Sequence, residues 1–380
     1  MFITTLIVIL SLIFFYLVLS LPISGLLKFL LIALEMYLVG VVLAKRYKLS
    51  TEMGFILLKS KKGITFINNL AKNHNLWNSF ADIGLIVSYG FLGALIFKKH
   101  FSWKTFIVGV FLLTFISFLV APTALHFLSS VLTGGFAKKA TFDFGGPDIN
   151  FIVITALFYA GGFFLMLLAG ILYYSTNILF LLIQFIFFGS QAIASTPAGG
   201  TLLLPGINLP LVEGILALAV VLLVHEGAHA VLSRIASIPL LSSGIVLFGI
   251  IPIGAFIEPD EKRLAKSPAQ RQTRILVAGS TANFITSIIF FFMFIPISVL
   301  LKTQAAGTLI YDIVRFFYVF IGLTFSLNFV VATVNILPLP LFDGYRLLEV
   351  NIKNKTIVSA LMYITLIAFL LNFLPWFFAH

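Results

Sequence analysis

Long runs of apolar residues recur along this chain of 380 residues, and they constrain its fold more than any other feature. Hydrophobic residues make up 61% of the sequence and charged residues only 10%. A water-soluble domain cannot bury that much apolar surface, whereas a bilayer accommodates helices of ~20 apolar residues. Lipid requires every backbone polar group to be paired within the protein, and the runs show no strand-like alternation. We therefore expect transmembrane helices.

The fold class that these runs predict is an all-α polytopic membrane protein with about ten transmembrane helices. The predicted spans are 2–20, 24–43, 80–97, 105–132, 151–173, 176–191, 211–234, 275–301, 309–334 and 355–378. The first run has no basic leader and is long enough to span, so we interpret it as a retained helix rather than a cleaved signal peptide. Residues 236–257 are apolar but broken by Pro, Ser and Gly, which favours short strands or a re-entrant loop.

The formal net charge of +11 comes from Lys and Arg residues that cluster between the apolar runs. This distribution is typical of loops beside anionic lipid headgroups, and we expect no nucleic-acid partner. The basic segment 258–274 predicts a cytoplasmic loop. Another basic segment, 44–79, lies five predicted spans earlier and would face the opposite side. Either one predicted span does not cross, with 176–191 the shortest, or 44–79 is an exception to the positive-inside rule.

A metal-binding motif lies inside one apolar run: residues 225–229 read HEGAH. Helical spacing places His225 and His229 on one face about one turn apart, where both imidazoles can reach one ion. Glu226 lies beside them and is suited to take a proton from a metal-bound water. The alternative is a helix whose histidines merely bond the backbone or each other, but such groups are costly within hydrocarbon. Because the chain has no cysteine, any zinc must be held by imidazole and carboxylate.

A catalytic zinc site needs a third protein ligand and an open fourth position. The best candidate is Asp343, which follows the run 309–334. Pro338 and Pro340 stop the preceding helix, and Gly344 permits a turn. Irregular backbone near membrane depth is tolerated where it lines a polar cavity. The alternative is an ordinary loop aspartate that caps the next segment.

Three further sequence elements accompany HEGAH. They are Gly279-x-x-x-Asn283, Asn335-x-x-Pro338 and Asp343-Gly344. With HEGAH they make the chain similar to the site-2 protease family of intramembrane zinc metalloproteases. The matching core covers about 205–350, under half of the chain, whereas residues 1–200 contain no motif that we can assign.

The resemblance implies a role for each matching residue. Zinc would be held by His225, His229 and Asp343, and Glu226 would be the general base. The residues implied to steady the substrate or the backbone of the site are Asn283, Asn335, Pro338 and Gly344.

The resemblance also implies a function, namely zinc-dependent hydrolysis of peptide bonds in or near transmembrane segments of membrane-protein substrates, as in regulated intramembrane proteolysis. We expect a multi-pass protein of a prokaryotic cell membrane, with a transmembrane protein as its substrate and the lipid bilayer as its surroundings. No PDZ domain is expected, since neither 235–274 nor 302–308 has room for one. The expected divisions are N-terminal membrane helices of unknown role (1–200), a metalloprotease core (205–350) and a C-terminal transmembrane helix (351–380).

Two other classes of protein share part of this pattern. A transporter or proton channel also buries His, Glu and Asp but does not require the HExxH spacing. Zinc proteases of the prenyl-protein-processing type share HExxH, but that resemblance calls for a glutamate ligand in a downstream helix. The downstream candidates are Glu258, Glu261 and Glu349, and none lies within an apolar run.

Overall fold

The computed structural model describes residues 2–378, apart from 24, 53, 54, 61, 101, 133–148 and 202. The helices are α1 (Phe2–Ser20), α2 (Gly25–Tyr47), α3 (Lys62–Leu70), α4 (His74–Ile96), α5 (Trp103–Phe115), α6 (Ala121–Leu132), α7 (Ile149–Phe188), α8 (Leu211–Ile235), α9 (Glu261–Lys266), α10 (Ala269–Thr303), α11 (Leu309–Val334), α12 (Asp343–Asn351) and α13 (Lys355–Leu371). The strands are β1 (Ser50–Glu52), β2 (Phe55–Ser60), β3 (Leu240–Phe248) and β4 (Ile251–Pro259).

Within the described part of the chain, seven helical segments are long and apolar enough to cross a membrane. They are His74–Ile96, Trp103–Leu132, Val153–Phe188, Leu211–Ile235, Ala269–Thr303, Leu309–Val334 and Lys355–Phe377. The predicted class, an all-α polytopic membrane protein, is thereby confirmed, with fewer candidate spans than the ten expected. One reason is that the runs 151–173 and 176–191 both lie in the single helix α7. The expected spans 2–20 and 24–43 correspond to α1 and α2, whose side chains lie only partly within the described part of the chain.

Two of the long helices are interrupted at glycines that face each other. Gly90 in α4 and Gly162 in α7 have positive φ angles of 53° and 58°. A Cβ at position 90 would lie 2.6 Å from the Gly162 nitrogen, and one at position 162 would lie 2.6 Å from the Val87 carbonyl oxygen. Both positions therefore need glycine, for the backbone angle and for the close approach of the two helices.

The broken segment after α8 forms the hairpin β3–β4, which confirms the prediction of short strands. The sequence did not indicate that this hairpin belongs to a four-stranded antiparallel sheet of order β1-β2-β3-β4. In its register Ile56 pairs with Leu247 and Ser60 with Ser243. Lys59 reaches across to Glu258 on β4, with 3.0 Å between Nζ and Oε2.

The sheet helps to decide how the two basic segments, 44–79 and 258–274, lie relative to the membrane. Since β2 is bonded to β3, the basic segment 44–79 and the segment 258–274 meet at one side of the bundle. With 176–191 absorbed into α7, an even number of crossings separates them. The first explanation, that 176–191 is not a separate span, is therefore the one that the structure supports.

Helix α8 occupies a central position, since it packs against α3, α4, α10, α11 and both strands of the hairpin. Small residues allow these close contacts. Ala217, Ala228 and Ala230 on α8 are buried, as expected where helices associate inside a bilayer.

Candidate metal centre

The two histidines of HEGAH meet on one face of α8. Their Nε2 atoms lie 3.1 Å apart. The Nδ1 nitrogen of His229 lies 2.7 Å from the backbone oxygen of Ile275 on α10 and donates its proton there. This bond fixes the tautomer that leaves Nε2 free as a ligand atom. The Nδ1 atom of His225 is buried with no partner among the described residues.

Asp343 completes a cluster with these histidines. Its Oδ2 atom lies 3.3 Å from Nε2 of His225 and 3.1 Å from Nε2 of His229. Asp343 is the first residue of α12 and arrives there through the proline-broken loop after α11. Burial raises the pKa of its carboxyl, but the neighbouring imidazoles outweigh burial and hold that pKa well below its usual range. A carboxyl group binds a metal ion in its ionised form.

The loop that carries Asp343 is held by two contacts from Asn335. The Asn335 side-chain amide donates to Asp343 Oδ2 at 2.6 Å and lies 3.2 Å from His225 Nε2. The Asn335 carbonyl accepts a bond from the Gly344 nitrogen at 2.9 Å. A Cβ at position 344 would lie 2.1 Å from the Ile336 oxygen, so the close approach of α12 to this loop requires glycine.

The spacing of the three ligand atoms fits a tetrahedral zinc site. Zinc binds His nitrogen and carboxylate oxygen at ~2.0–2.2 Å, so two tetrahedral ligands lie about 3.3–3.6 Å from each other. The three separations in the cluster are 3.1, 3.3 and 3.1 Å. Among the described residues, His225, His229 and Asp343 form the group of side chains that could hold a metal ion.

A cavity of about 390 Å³ opens in front of this cluster, and Glu226 lines it together with the three candidate ligands. The cavity extends toward Glu261 and Arg346, whose side chains form an exposed ion pair of 2.8 Å. Water can thus reach the cluster from the end of the bundle that bears α9 and α12.

On α10, Gly279 lies directly against both imidazoles. A Cβ there would be 2.4 Å from Cε1 of His225 and 2.5 Å from Nε2 of His229. The predicted element Gly-x-x-x-Asn therefore begins beside the candidate metal ligands. Asn283, one turn further on, is fully buried, and its side-chain amide has no hydrogen-bond partner within the described residues.

The remaining sequence candidates lie further out. Pro338 is buried in the loop before α12. Glu349 is exposed on α12 and is not part of the cluster. The structure therefore brings Asp343 to the histidines and leaves Glu349 apart.

Sequence reasoning missed contributions from the N-terminal half of the chain. The hydroxyl of Tyr89 on α4 donates to the Ile336 carbonyl at 3.2 Å, and this tyrosine is fully buried. Asp82, also on α4, accepts two bonds from Arg274 at 2.9 and 2.7 Å, next to the residue that orients His229. An aspartate near the start of one apolar run and an arginine at the start of another were the available signals, but nothing in the sequence pairs them.

The fold and the site together define a multi-pass membrane protein with a candidate metal centre inside its helix bundle. Residues 213–376 match the model of Peptidase family M50, which confirms the resemblance to the site-2 protease family. The matched region begins in α8 and includes the HEGAH motif, Asp343 and α13.

One curated relative is an uncharacterized protein of Methanocaldococcus jannaschii, which is 39% identical over 87 residues. That stretch covers 22% of this chain and 23% of the relative. No solved structure matches the chain.

Proposed function

We propose that this protein is a zinc-dependent intramembrane endopeptidase that hydrolyses peptide bonds in or near transmembrane segments of membrane proteins. The observation that carries the proposal is that three ligand atoms lie 3.1–3.3 Å from one another, within a few tenths of an ångström of the separations in a tetrahedral zinc site. The match to Peptidase family M50 over the same residues supports it. In this proposal 205–350 is the catalytic core and the helices before it support the site.

His225, His229 and Asp343 would hold Zn²⁺. When bound, zinc acts as a Lewis acid and lowers the pKa of a coordinated water to about 7. Glu226 accepts the proton of the attacking water and passes it to the leaving amine, as a general base and then a general acid. The side-chain amide of Asn335 donates a hydrogen bond to Asp343 and so keeps its carboxylate directed at the histidines. Asn283, with its unpartnered buried amide, is proposed to steady the substrate or the backbone of the site.

A substrate helix must unwind before its peptide bonds can be attacked. Strand β4 is the last strand of the sheet and packs against α8, so its outer edge lies beside the metal centre. We propose that the unwound peptide adds to this edge as a further strand, with main-chain bonds supplying affinity. Prolines placed one at a time along β4 should then reduce cleavage, and unchanged cleavage throughout would exclude strand addition.

The proposal is tested with purified protein and a model transmembrane substrate. Zinc should co-purify, and cleavage should be blocked by 1,10-phenanthroline. Glu226→Gln should retain zinc yet lose activity by ~10²–10⁴-fold, because Glu226 moves a proton and does not ligate. His225→Ala and His229→Ala should lose zinc as well. Ion flux through vesicles without any cleavage would favour the transporter class instead.

A further inference from the structure

A second cavity lies beside HEGAH, on the side of α8 that faces α3, α4 and the sheet. Its volume is about 580 Å³, within the range of ~300–1,000 Å³ typical of ligand pockets. The walls are apolar and largely aromatic or branched, with Phe66, Trp77, Phe256 and Ile285 among them. The one charged side chain on its described lining is Glu226.

This apolar cavity adjoins the metal cavity. Glu226 and Ile257 line both. In an extended peptide, successive side chains are ~3.3 Å apart along the strand and point to opposite faces. A peptide whose scissile carbonyl lies at the metal centre therefore brings a neighbouring side chain to the entrance of the apolar cavity.

The rim of the cavity is open at the outer surface of the helix bundle. Phe66, Leu223 and Ile245 contribute to the lining, yet they are 66%, 63% and 48% exposed. In a membrane such exposed apolar side chains contact lipid, so the cavity can be entered sideways by a residue that comes from a transmembrane helix. A charged side chain would lose hydration there, and the described lining offers few polar groups to replace the lost water.

We infer that this cavity is the specificity pocket of the protease and binds one large apolar side chain, leucine or phenylalanine, next to the scissile bond. This inference rests on the proposed function, because it assigns a pocket to the substrate of that same site. Because Glu226 lines both this pocket and the metal cavity, we infer that the occupant of the pocket is the substrate.

Gly227 supplies the means of a direct test. Leu223, Gly227 and Val231 lie four residues apart on α8 and all line the cavity, so the glycine leaves a gap in a row of branched side chains. A Cβ at position 227 would meet no atom within 4 Å. Larger side chains at this position therefore fill the pocket without displacing the helix.

The experiment uses the full chain, loaded with zinc, in vesicles of phosphatidylethanolamine and phosphatidylglycerol. Model transmembrane peptides carry alanine or leucine at each position that flanks the mapped cleavage site. Wild-type protein should prefer leucine at one of these positions. Gly227→Leu should lower the leucine-to-alanine ratio of kcat/KM by ~10–200-fold, the range for a change of about one methylene in an apolar pocket.

Two further variants keep the result interpretable. Ile285→Phe reduces the same pocket from α10, so it provides the test if Gly227→Leu does not fold. Gly170→Leu is the matched control, because a Cβ at this exposed position on α7 also meets no atom within 4 Å, and its ratio should equal that of the wild type. Zinc content and thermal unfolding are measured for each variant.

The outcomes separate this inference from the proposed function. A strongly lowered leucine-to-alanine ratio of kcat/KM in Gly227→Leu and Ile285→Phe, with zinc retained, supports the assignment of the pocket. A wild-type ratio near one, or an equal loss of both substrates in Gly227→Leu and Ile285→Phe, overturns it and leaves lipid chains as the occupant of the cavity. Absence of any cleavage by zinc-loaded wild-type protein would overturn the proposed function itself.

Discussion

Replacing Gly279 with alanine is expected to damage the metal centre while leaving the bundle folded. The added methyl would lie 2.4–2.5 Å from Cε1 and Nε2 of His225 and from Nε2 of His229. Ordinary contacts are 3.4–4 Å. The imidazoles would therefore have to withdraw by about 1 Å, whereas ligand distances at a metal site tolerate only about 0.2 Å.

The magnitude of the effect follows from this displacement. Changes in the groups that merely orient metal ligands lower affinity by ~10–100-fold, and here the ligands themselves are pushed aside. A misplacement of ~1 Å in a catalytic group also lowers the rate by ~10²-fold. We expect Gly279→Ala to lose at least ~10²-fold in zinc affinity and in kcat/KM.

Zinc occupancy in graded metal buffers and cleavage of a model substrate are the two measurements. Gly109→Ala serves as the matched control, since its Cβ would lie 2.6 Å from Ile86 on α4 rather than from a metal ligand. It should lower the melting temperature but keep zinc in the folded protein. Wild-type affinity and turnover in Gly279→Ala would refute the site geometry. Equal zinc loss in Gly109→Ala would mean that general loosening, not contact with the histidines, is responsible.

Three other predictions concern the ligand, the topology and the N-terminal helices. Asp343→Ala should lose zinc and activity while Glu349→Ala keeps both; the opposite pattern in metal analysis would revive the prenyl-processing alternative. Since the chain lacks cysteine, single cysteines at 262 and 345 should react with an impermeant maleimide from the same side of sealed vesicles, and labelling from opposite sides would contradict the topology. Tyr89→Phe leaves a buried carbonyl unpaired and should cost about 1–3 kcal/mol of stability in thermal or denaturant unfolding, with an unchanged unfolding midpoint arguing against the bond to Ile336.

Much of the fold could be predicted because lipid leaves few choices. Apolar length alone located the long helices, and the Pro- and Gly-broken composition of 236–257 predicted short strands or a re-entrant loop. The division of α7 into two spans was wrong for a local reason. Ser175 and Thr176 break the apolar run, but their hydroxyls bond back to the Leu172 carbonyl at 2.9 and 2.8 Å, so these polar residues continue the helix.

The candidate site was predictable where the spacing of residues in the sequence determines the positions of the ligands. HExxH fixes its own geometry through the helical period, and the loop after a proline break identified Asp343. The contacts that support the site were not predictable, because they join residues far apart in sequence. Tyr89 and Ile336 are separated by 247 positions, and Asp82 and Arg274 by 192. No local pattern in either segment specifies such a partner.

The pairing of β2 with β3 has a consequence for attempts to produce the peptidase region alone. A fragment beginning near 205 would carry the hairpin with the inner edge of β3 uncovered, in addition to the outer edge of β4. Exposed, unpaired edges of this kind template association between chains. We expect such a fragment to aggregate, and a peptide spanning 50–60, supplied in trans, to suppress that aggregation. Residues 50–60 would then assist the folding of the hairpin β3–β4.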